Sequence, residues 1–308
     1  MNRLDLLDST LRDGSQGENI SFSVNDKLNI VRLLDGLGIP YIEAGNPASN
    51  PKDREFFEKA AGLSLQNSQI VAFGSTRKPG LPPEEDSGLQ ALLDAGPDTL
   101  AIFGKASAFH VEKVLRTSRE ENLQMVEDSI RYLAAHGKQV FFDAEHFFDG
   151  FRQDPEYSMA VLKAAQKAGA ACLVLCDTNG GTMPGEIFET VKQVKQAVSA
   201  PIGIHCHNDA GCAEANSILA VQAGAVQVQG TLLGFGERCG NANLSTLIPS
   251  LQMKLGYRCI PPENLHNLTQ CARAVGEAAN VVLDNGMPYV GRSAFAHKGG
   301  MHIDGVLK

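Results

Sequence analysis

His205 and His207 stand two residues apart in the run Pro201-Ile202-Gly203-Ile204-His205-Cys206-His207-Asn208-Asp209. In a strand, side chains at i and i+2 project to one face, so the two imidazoles converge while Cys206 points the other way. That is how a strand presents a divalent ion, but two ligands rarely hold one and a third must come from elsewhere. A candidate lies near the N-terminus, where Leu4 to Thr10 reads as a short strand. It runs into Leu11-Arg12-Asp13-Gly14-Ser15-Gln16-Gly17, a loop with an adjacent cation and carboxylate. The competing reading uses the same residues without metal: one imidazole buried and hydrogen-bonded, the other solvated, and Arg12-Asp13 a surface ion pair.

The elements that must position these residues repeat a strand-helix unit eight times. Strand candidates are Leu4 to Thr10, Tyr41 to Asn46, Gln69 to Ser75, Thr99 to Gly104, Gln139 to Glu145, Cys172 to Thr178, Pro201 to His207 and Gln227 to Leu232. Helix-period stretches lie between them, including Val24 to Leu37, Asn122 to His136, Pro155 to Ala168, Pro184 to Val198 and Cys212 to Ala223. Early prolines in Asp154-Pro155 and Met183-Pro184 mark helix starts. Eight such units predict an α/β fold, a (β/α)8 TIM barrel over residues 1–260, with a short C-terminal extension over 261–308. A doubly wound sheet would show a glycine-rich phosphate turn after its first strand. Gly14-Ser15-Gln16-Gly17 does not fit that fingerprint, and there is no Walker sequence.

A barrel gathers the C-terminal ends of its strands at one face. Arg12 and Asp13 then meet Glu43 from strand two, Arg77 after strand three, Glu145 from strand five, Asp177 and Thr178 from strand six, and the two histidines from strand seven. The polar, glycine-rich loop Gly234 to Asn243 follows strand eight. His146, His266 and His297 fall outside this set and read as structural or solvated. Glu84-Glu85 reads as a helix's acidic first turn. Glu237-Arg238 reads as a mutual pair that shapes its loop.

A net charge of −8 excludes a nucleic-acid footprint, and no block of like charge offers a membrane patch, so small molecules are the expected partners. Seven scattered cysteines without Cys-x-x-Cys spacing, no signal-like N-terminus and no long apolar run predict a soluble protein of a reducing cytoplasm, without disulfides.

Three runs together resemble one family: Asp8-Ser9-Thr10-Leu11-Arg12-Asp13-Gly14-Ser15-Gln16, His205-Cys206-His207-Asn208-Asp209-Ala210-Gly211 and Gly236-Glu237-Arg238-Cys239-Gly240-Asn241-Ala242. They are similar to the signatures of the metal-dependent barrel enzymes that condense acyl-CoA with 2-oxo acids. These are the isopropylmalate, homocitrate and citramalate synthases, with hydroxymethylglutaryl-CoA lyase as a relative. Within the family, four further stretches resemble the citramalate synthases of clostridial and cyanobacterial type: Gln16 to Val24, Phe73 to Arg77, Asp143 to Gly150 and Tyr289 to Gly300.

The resemblance implies condensation of acetyl-CoA with pyruvate and thioester hydrolysis to (R)-citramalate, on a route to isoleucine. It implies Asp13, His205 and His207 as ligands of a divalent ion (Mn²⁺, Mg²⁺, Co²⁺ or Zn²⁺), with Asn241 as an additional ligand. It implies Arg12 at the developing alkoxide, Glu145 and His302 in acetyl-CoA activation, and Thr178 at the 2-oxo acid carboxylate, with Glu43 and Arg77 as further substrate contacts. Family members continue past the point matching Lys308 into linker and regulatory domains and form homodimers. The expectation is therefore a barrel that binds metal and pyruvate, turns over acetyl-CoA weakly by itself and does not respond to isoleucine. Other readings are a 2-isopropylmalate or homocitrate synthase, an acyl-CoA lyase on the same metal site, a metal hydrolase barrel, whose His-x-His ends the first strand rather than the seventh, and a catalytically silent metabolite-binding barrel.

Overall fold

The computed structural model describes residues 3–307. Eight parallel strands close on themselves: β1 (Asp5–Asp8), β2 (Tyr41–Gly45), β3 (Gln69–Ser75), β4 (Thr99–Lys105), β5 (Gln139–Glu145), β6 (Cys172–Asp177), β7 (Ile202–Cys206) and β8 (Gln227–Gly230). β8 pairs back onto β1 through Asp5 to Asp8 against Gln227 to Gly230. The expected (β/α)8 barrel is the observed fold.

Alternation along each strand divides the residues between two cores. Outward positions such as Val140, Phe142 and Ala144 on β5, or Ile202, Ile204 and Cys206 on β7, pack beneath the surrounding helices in one large apolar cluster. Inward positions form a smaller cluster within the barrel, with Leu7, Val71, Ala101, Phe141, Cys172, Val174 and Cys176. Above it the inward positions turn polar, and these build the site.

Helix ends follow local chemistry. Ser23 and Asp26 make a reciprocal capping box on the helix Val24–Leu37, and Gly38 closes that helix at φ 94. Asp154 caps Tyr157 N–H at the start of Pro155–Lys167, where proline occupies the first turn. The acidic pair Glu84-Glu85 does lie in a helix's first turn, that of a 3-10 helix rather than of the neighbouring α-helix. It closes a single 3-10 turn, Pro83–Glu85, and the helix Ser87–Asp94 begins after Asp86, whose carboxylate accepts from Gly88 and Leu89 N–H.

Strand ends are shorter than expected where side chains capture the backbone. β1 stops at Asp8 because the Asp8 carboxylate accepts from both Thr10 N–H and the Thr10 hydroxyl, bending the chain into a turn. β7 stops at Cys206, and His207 instead forms an isolated antiparallel bridge with Asn241. β8 ends at Gly230, where Thr231 N–H turns to the Ala242 carbonyl.

Candidate active site

A cavity of about 290 Å³ opens at the C-terminal ends of the strands. Arg12, Asp13, Glu145, Thr178, His205 and His207 all line it, with Phe73, Phe103 and Asp143. Residues nearly two hundred positions apart are therefore neighbours for the reason the barrel supplies.

His205 Nε2 lies 3.1 Å from Asp13 Oδ2, and His207 Nε2 lies 3.9 Å from the same oxygen. One ligand atom from each of the three residues falls within 4.8 Å of the other two, and all three residues are buried. The loop after β8 is zipped onto the end of β7: Ala242 N–H donates to the Cys206 carbonyl and Asn208 N–H to the Gly240 carbonyl. This places Asn241 beside His207. Asn241 gives its Nδ2–H to the Phe235 carbonyl at 2.9 Å, while its Oδ1 is buried with no partner. An orphaned buried oxygen on the residue bridged to His207 fits a cation better than it fits a protein interior without one. The donor set is two nitrogens and oxygens, with no thiolate.

Electrostatics favour the ligating forms of Asp13 and His207. Burial works against an ionised Asp13, but Arg12 and the hydrogen bond from His205 hold its carboxyl far below the usual carboxylate range. Burial, then the neighbouring His205, pushes His207 down to about 4, so it is neutral near pH 7. His205 is raised: burial opposes its charge, and the hydrogen bond and attraction from Asp13 outweigh that.

Arg12 is fixed on three sides. Its Nε donates to Glu43 Oε2 at 2.6 Å, its Nη1 lies 3.4 Å from Asp13 Oδ1, and the guanidinium sits 3.7 Å above the Phe73 ring. Burial disfavours its charge, yet Glu43 and then Asp13 raise its affinity for the proton further. Glu43 is fully buried beneath Arg12 and also accepts from the Ser9 hydroxyl. It holds Arg12 in place and is not among the residues lining the cavity. Glu43, expected as a substrate contact, thus faces Arg12 and Ser9 rather than the cavity.

Glu145 reaches the cavity from the end of β5, paired with Lys105, which lies directly opposite it in the β4–β5 register. Thr178 accepts the His146 N–H at 2.8 Å, which leaves its own hydroxyl proton to donate. His146 lies at this rim rather than in the metal set, its ring stacked on His110 at 3.7 Å.

Two expected site residues are elsewhere. Arg77 is buried outside the barrel mouth, where it pairs with Glu121 at 2.7 Å and Asp128 at 2.9 Å. These carboxylates of one helix, Arg119–Ala135, turn its guanidinium away from the cavity. His302 lies exposed on the helix Gly300–Leu307, its ring 6.0 Å from that of His297, and is not among the cavity's lining residues. The Glu237-Arg238 pair is loose, at 3.8 Å, because Arg238 prefers Asp209 at 2.7 and 2.9 Å.

Sequence reasoning missed Asp143, Gln229 and Lys105. Asp143 shares the inward face of β5 with Glu145, so alternation alone would have placed it. Burial, then the nearby Glu43, raises its carboxyl to about 7. Gln229 accepts from His205 Nδ1 at 3.0 Å and donates to Asp143 at 3.2 Å. Its signal was the polar alternation Gln227-Val228-Gln229 within an otherwise apolar strand.

Residues 3–275 match the HMGL-like family model. The chain belongs to the HMGL-like family. Among curated proteins, this HMGL-like chain is 53% identical to the (R)-citramalate synthase of Synechocystis sp. over 98% of its own length, covering 57% of that protein. It is 52% identical to the (R)-citramalate synthase of Geobacter sulfurreducens over its whole length, covering 58% of that protein. The chain thus spans a little over half the length of these relatives. Among solved structures, the Bacillus subtilis HMG-CoA lyase superposes with a TM-score of 0.77 at 21% identity, over 92% of this chain and 96% of the other. That likeness is one of fold.

Proposed function

We propose that this HMGL-like chain carries the barrel of an (R)-citramalate synthase, which condenses acetyl-CoA with pyruvate and hydrolyses the resulting thioester. The observation that carries the reading is the convergence of Asp13, His205 and His207 with Arg12 and Glu145 in one cavity, in a chain about half identical to two (R)-citramalate synthases.

Asp13, His205, His207 and Asn241 would hold a divalent cation, Mn²⁺, Mg²⁺, Co²⁺ or Zn²⁺, which when bound supplies Lewis-acid polarisation of the 2-oxo acid's ketone. Glu145 takes a proton from the acetyl methyl group, and the carbanion so formed bonds to the ketone carbon of pyruvate. The ketone's electron pair moves onto its oxygen, and Arg12, preorganised by Glu43 and Phe73, stabilises the alkoxide that grows there. Protonation of that oxygen gives the thioester, and water then breaks the C–S bond to yield citramalate and free CoA. A positioned base is worth roughly 10²- to 10⁴-fold, and the Lys105 partner holds Glu145 in place at the end of β5. Thr178 donates to the pyruvate carboxylate.

The stacked Phe73 and Phe103 rings, 5.5 Å apart, wall the cavity and favour a methyl over a larger 2-oxo acid side chain. His302 joins this set only when the helix Gly300–Leu307 docks over a barrel mouth, its own or that of a second copy in a homodimer. The exposed Phe295, Met301 and Val306 are the apolar surface that docking would cover.

Thiol-reagent detection of CoA release tests the proposal. The chain is given acetyl-CoA and Mn²⁺ with pyruvate, 2-oxobutyrate, 2-oxoisovalerate or 2-oxoglutarate in turn. Release with pyruvate that disappears in His207→Ala supports it, whereas preference for 2-oxoisovalerate or 2-oxoglutarate overturns the substrate assignment.

A further inference from the structure

His205 meets the candidate metal centre with one ring nitrogen and the barrel interior with the other. A neutral imidazole carries one proton, so one nitrogen donates and the other offers a lone pair. Nε2 faces Asp13, and Nδ1 faces Gln229 Oε1 at 3.0 Å. What decides the tautomer is therefore which end of the Gln229 amide points at the ring.

That end is fixed from across the barrel. Gln229 Nε2 lies 3.2 Å from Asp143 Oδ1 and 3.4 Å from Gln227 Oε1. With the amide N–H groups committed to two oxygens, Oε1 is the atom left for His205, and a carbonyl oxygen can only accept. Nδ1 must then carry the proton, and Nε2 must present its lone pair to the ion beside Asp13. His205, Gln229 and Asp143 are all buried, and His205 and Gln229 are direct partners in the β7–β8 register, so water does not compete for these bonds. Reversing the amide would take its N–H groups away from the Asp143 and Gln227 oxygens and turn a donor towards Nδ1, which suits only the opposite tautomer.

We propose that Gln229 and Asp143 are positioning residues: they form a relay from β5 through β8 to β7 that locks His205 in the Nδ1–H tautomer and so sets the affinity of the metal centre. The relay rests on the metal-site reading above and adds to it Gln229, which lies behind His205 and outside the cavity lining, and Asp143, which lines the cavity. Outer partners of ligating histidines typically contribute 10- to 100-fold in metal affinity.

The test is calorimetric titration of the purified chain with Mn²⁺, together with long-range ¹H–¹⁵N correlation spectra of the Zn²⁺-loaded protein, which report which nitrogen of His205 carries hydrogen. Gln229→Met keeps the shape and removes the acceptor; Mn²⁺ binding should weaken 10- to 100-fold and the protected Nδ1–H signal should disappear. The exchange Asp143→Asn with Gln229→Glu keeps an acceptor facing His205 and reverses the second bond. It should recover affinity to within about threefold of wild type, which a merely space-filling role would not produce. Wild-type affinity and an unchanged Nδ1–H signal in Gln229→Met overturn the relay, as does an exchange variant that binds as weakly as Gln229→Met. The exchange variant carries the test if Gln229→Met does not fold. Absence of Mn²⁺ binding in the wild type, matching His207→Ala, removes the metal-site reading and the relay together, and so differs from failure of the relay alone.

Discussion

Neutralising Glu43 should unsettle the barrel more than any exposed charge change, because Glu43 is the buried counter-ion of Arg12. Glu43 is fully buried, and the Arg12 side chain is only 12% exposed. At an effective dielectric constant near 20, opposite charges about 4 Å apart attract by about 4 kcal/mol. Glu43→Gln removes that attraction and retains the amide's volume. Asp13, 3.4 Å from Arg12 on its other side, still compensates part of the cation's charge. Breaking a buried pair from one side costs ~3–5 kcal/mol, so with Asp13 remaining the net loss should be about 3 kcal/mol, two decades in the folding equilibrium. Equilibrium urea unfolding in EDTA, followed by far-ultraviolet circular dichroism, reads it without metal linkage. A Glu43→Gln protein as stable as wild type, or more so, would refute the reasoning, since Arg12 would then not depend on Glu43 for its place.

Three other expectations rest on particular contacts. Burial, against hydrogen bonds from Thr10, raises the Asp8 carboxyl from 3.8 to about 6. A folded value above the unfolded one means that the folded state holds more protons between the two. Stability should fall by about 3 kcal/mol as pH rises from about 4 to about 6, and Asp8→Asn should flatten that slope in urea titrations run across this range. Phe103→Ala removes one wall of the aromatic pair; in calorimetric titrations with Mn²⁺ present, discrimination between pyruvate and 2-oxobutyrate should fall by about 1–3 kcal/mol. Gly240→Ala places a Cβ against the Gly234 carbonyl oxygen at φ 88, so the loop that carries Asn241 should shift. Melting and Mn²⁺ affinity should both drop, by ~1–3 kcal/mol of strain for the former.

The barrel was legible because buried parallel strands, alternating with capped helices, leave strong marks in sequence. The spacing of His205 and His207 stated its own geometry, and strand order then brought Asp13 to them. Arg77 misled because nothing in Phe73-Gly74-Ser75-Thr76-Arg77 shows which way a residue past a strand end turns. Two acidic residues on a distant helix decide it. Glu43 lies within β2 rather than at its end, and whether it faced substrate or Arg12 depended on Arg12 folding over Phe73 of β3. Lys105 became visible only with register, which pairs it with Glu145, and register likewise sets Gln229, already marked by its polar alternation, against His205. His302 entered by resemblance alone; neither the helix Gly300–Leu307 that carries it nor the surface against which that helix packs was read from its own residues.

The central claim is that Asp13, His205 and His207 hold a divalent ion at which pyruvate binds. Calorimetric titration of pyruvate into the purified chain, with Mn²⁺ and again with EDTA, tests it most directly when His207→Ala is run alongside. The account predicts binding with Mn²⁺ alone, lost in His207→Ala while the variant's fold, judged by circular dichroism, is unchanged. Pyruvate binding that persists in EDTA, or that survives in His207→Ala, would contradict it.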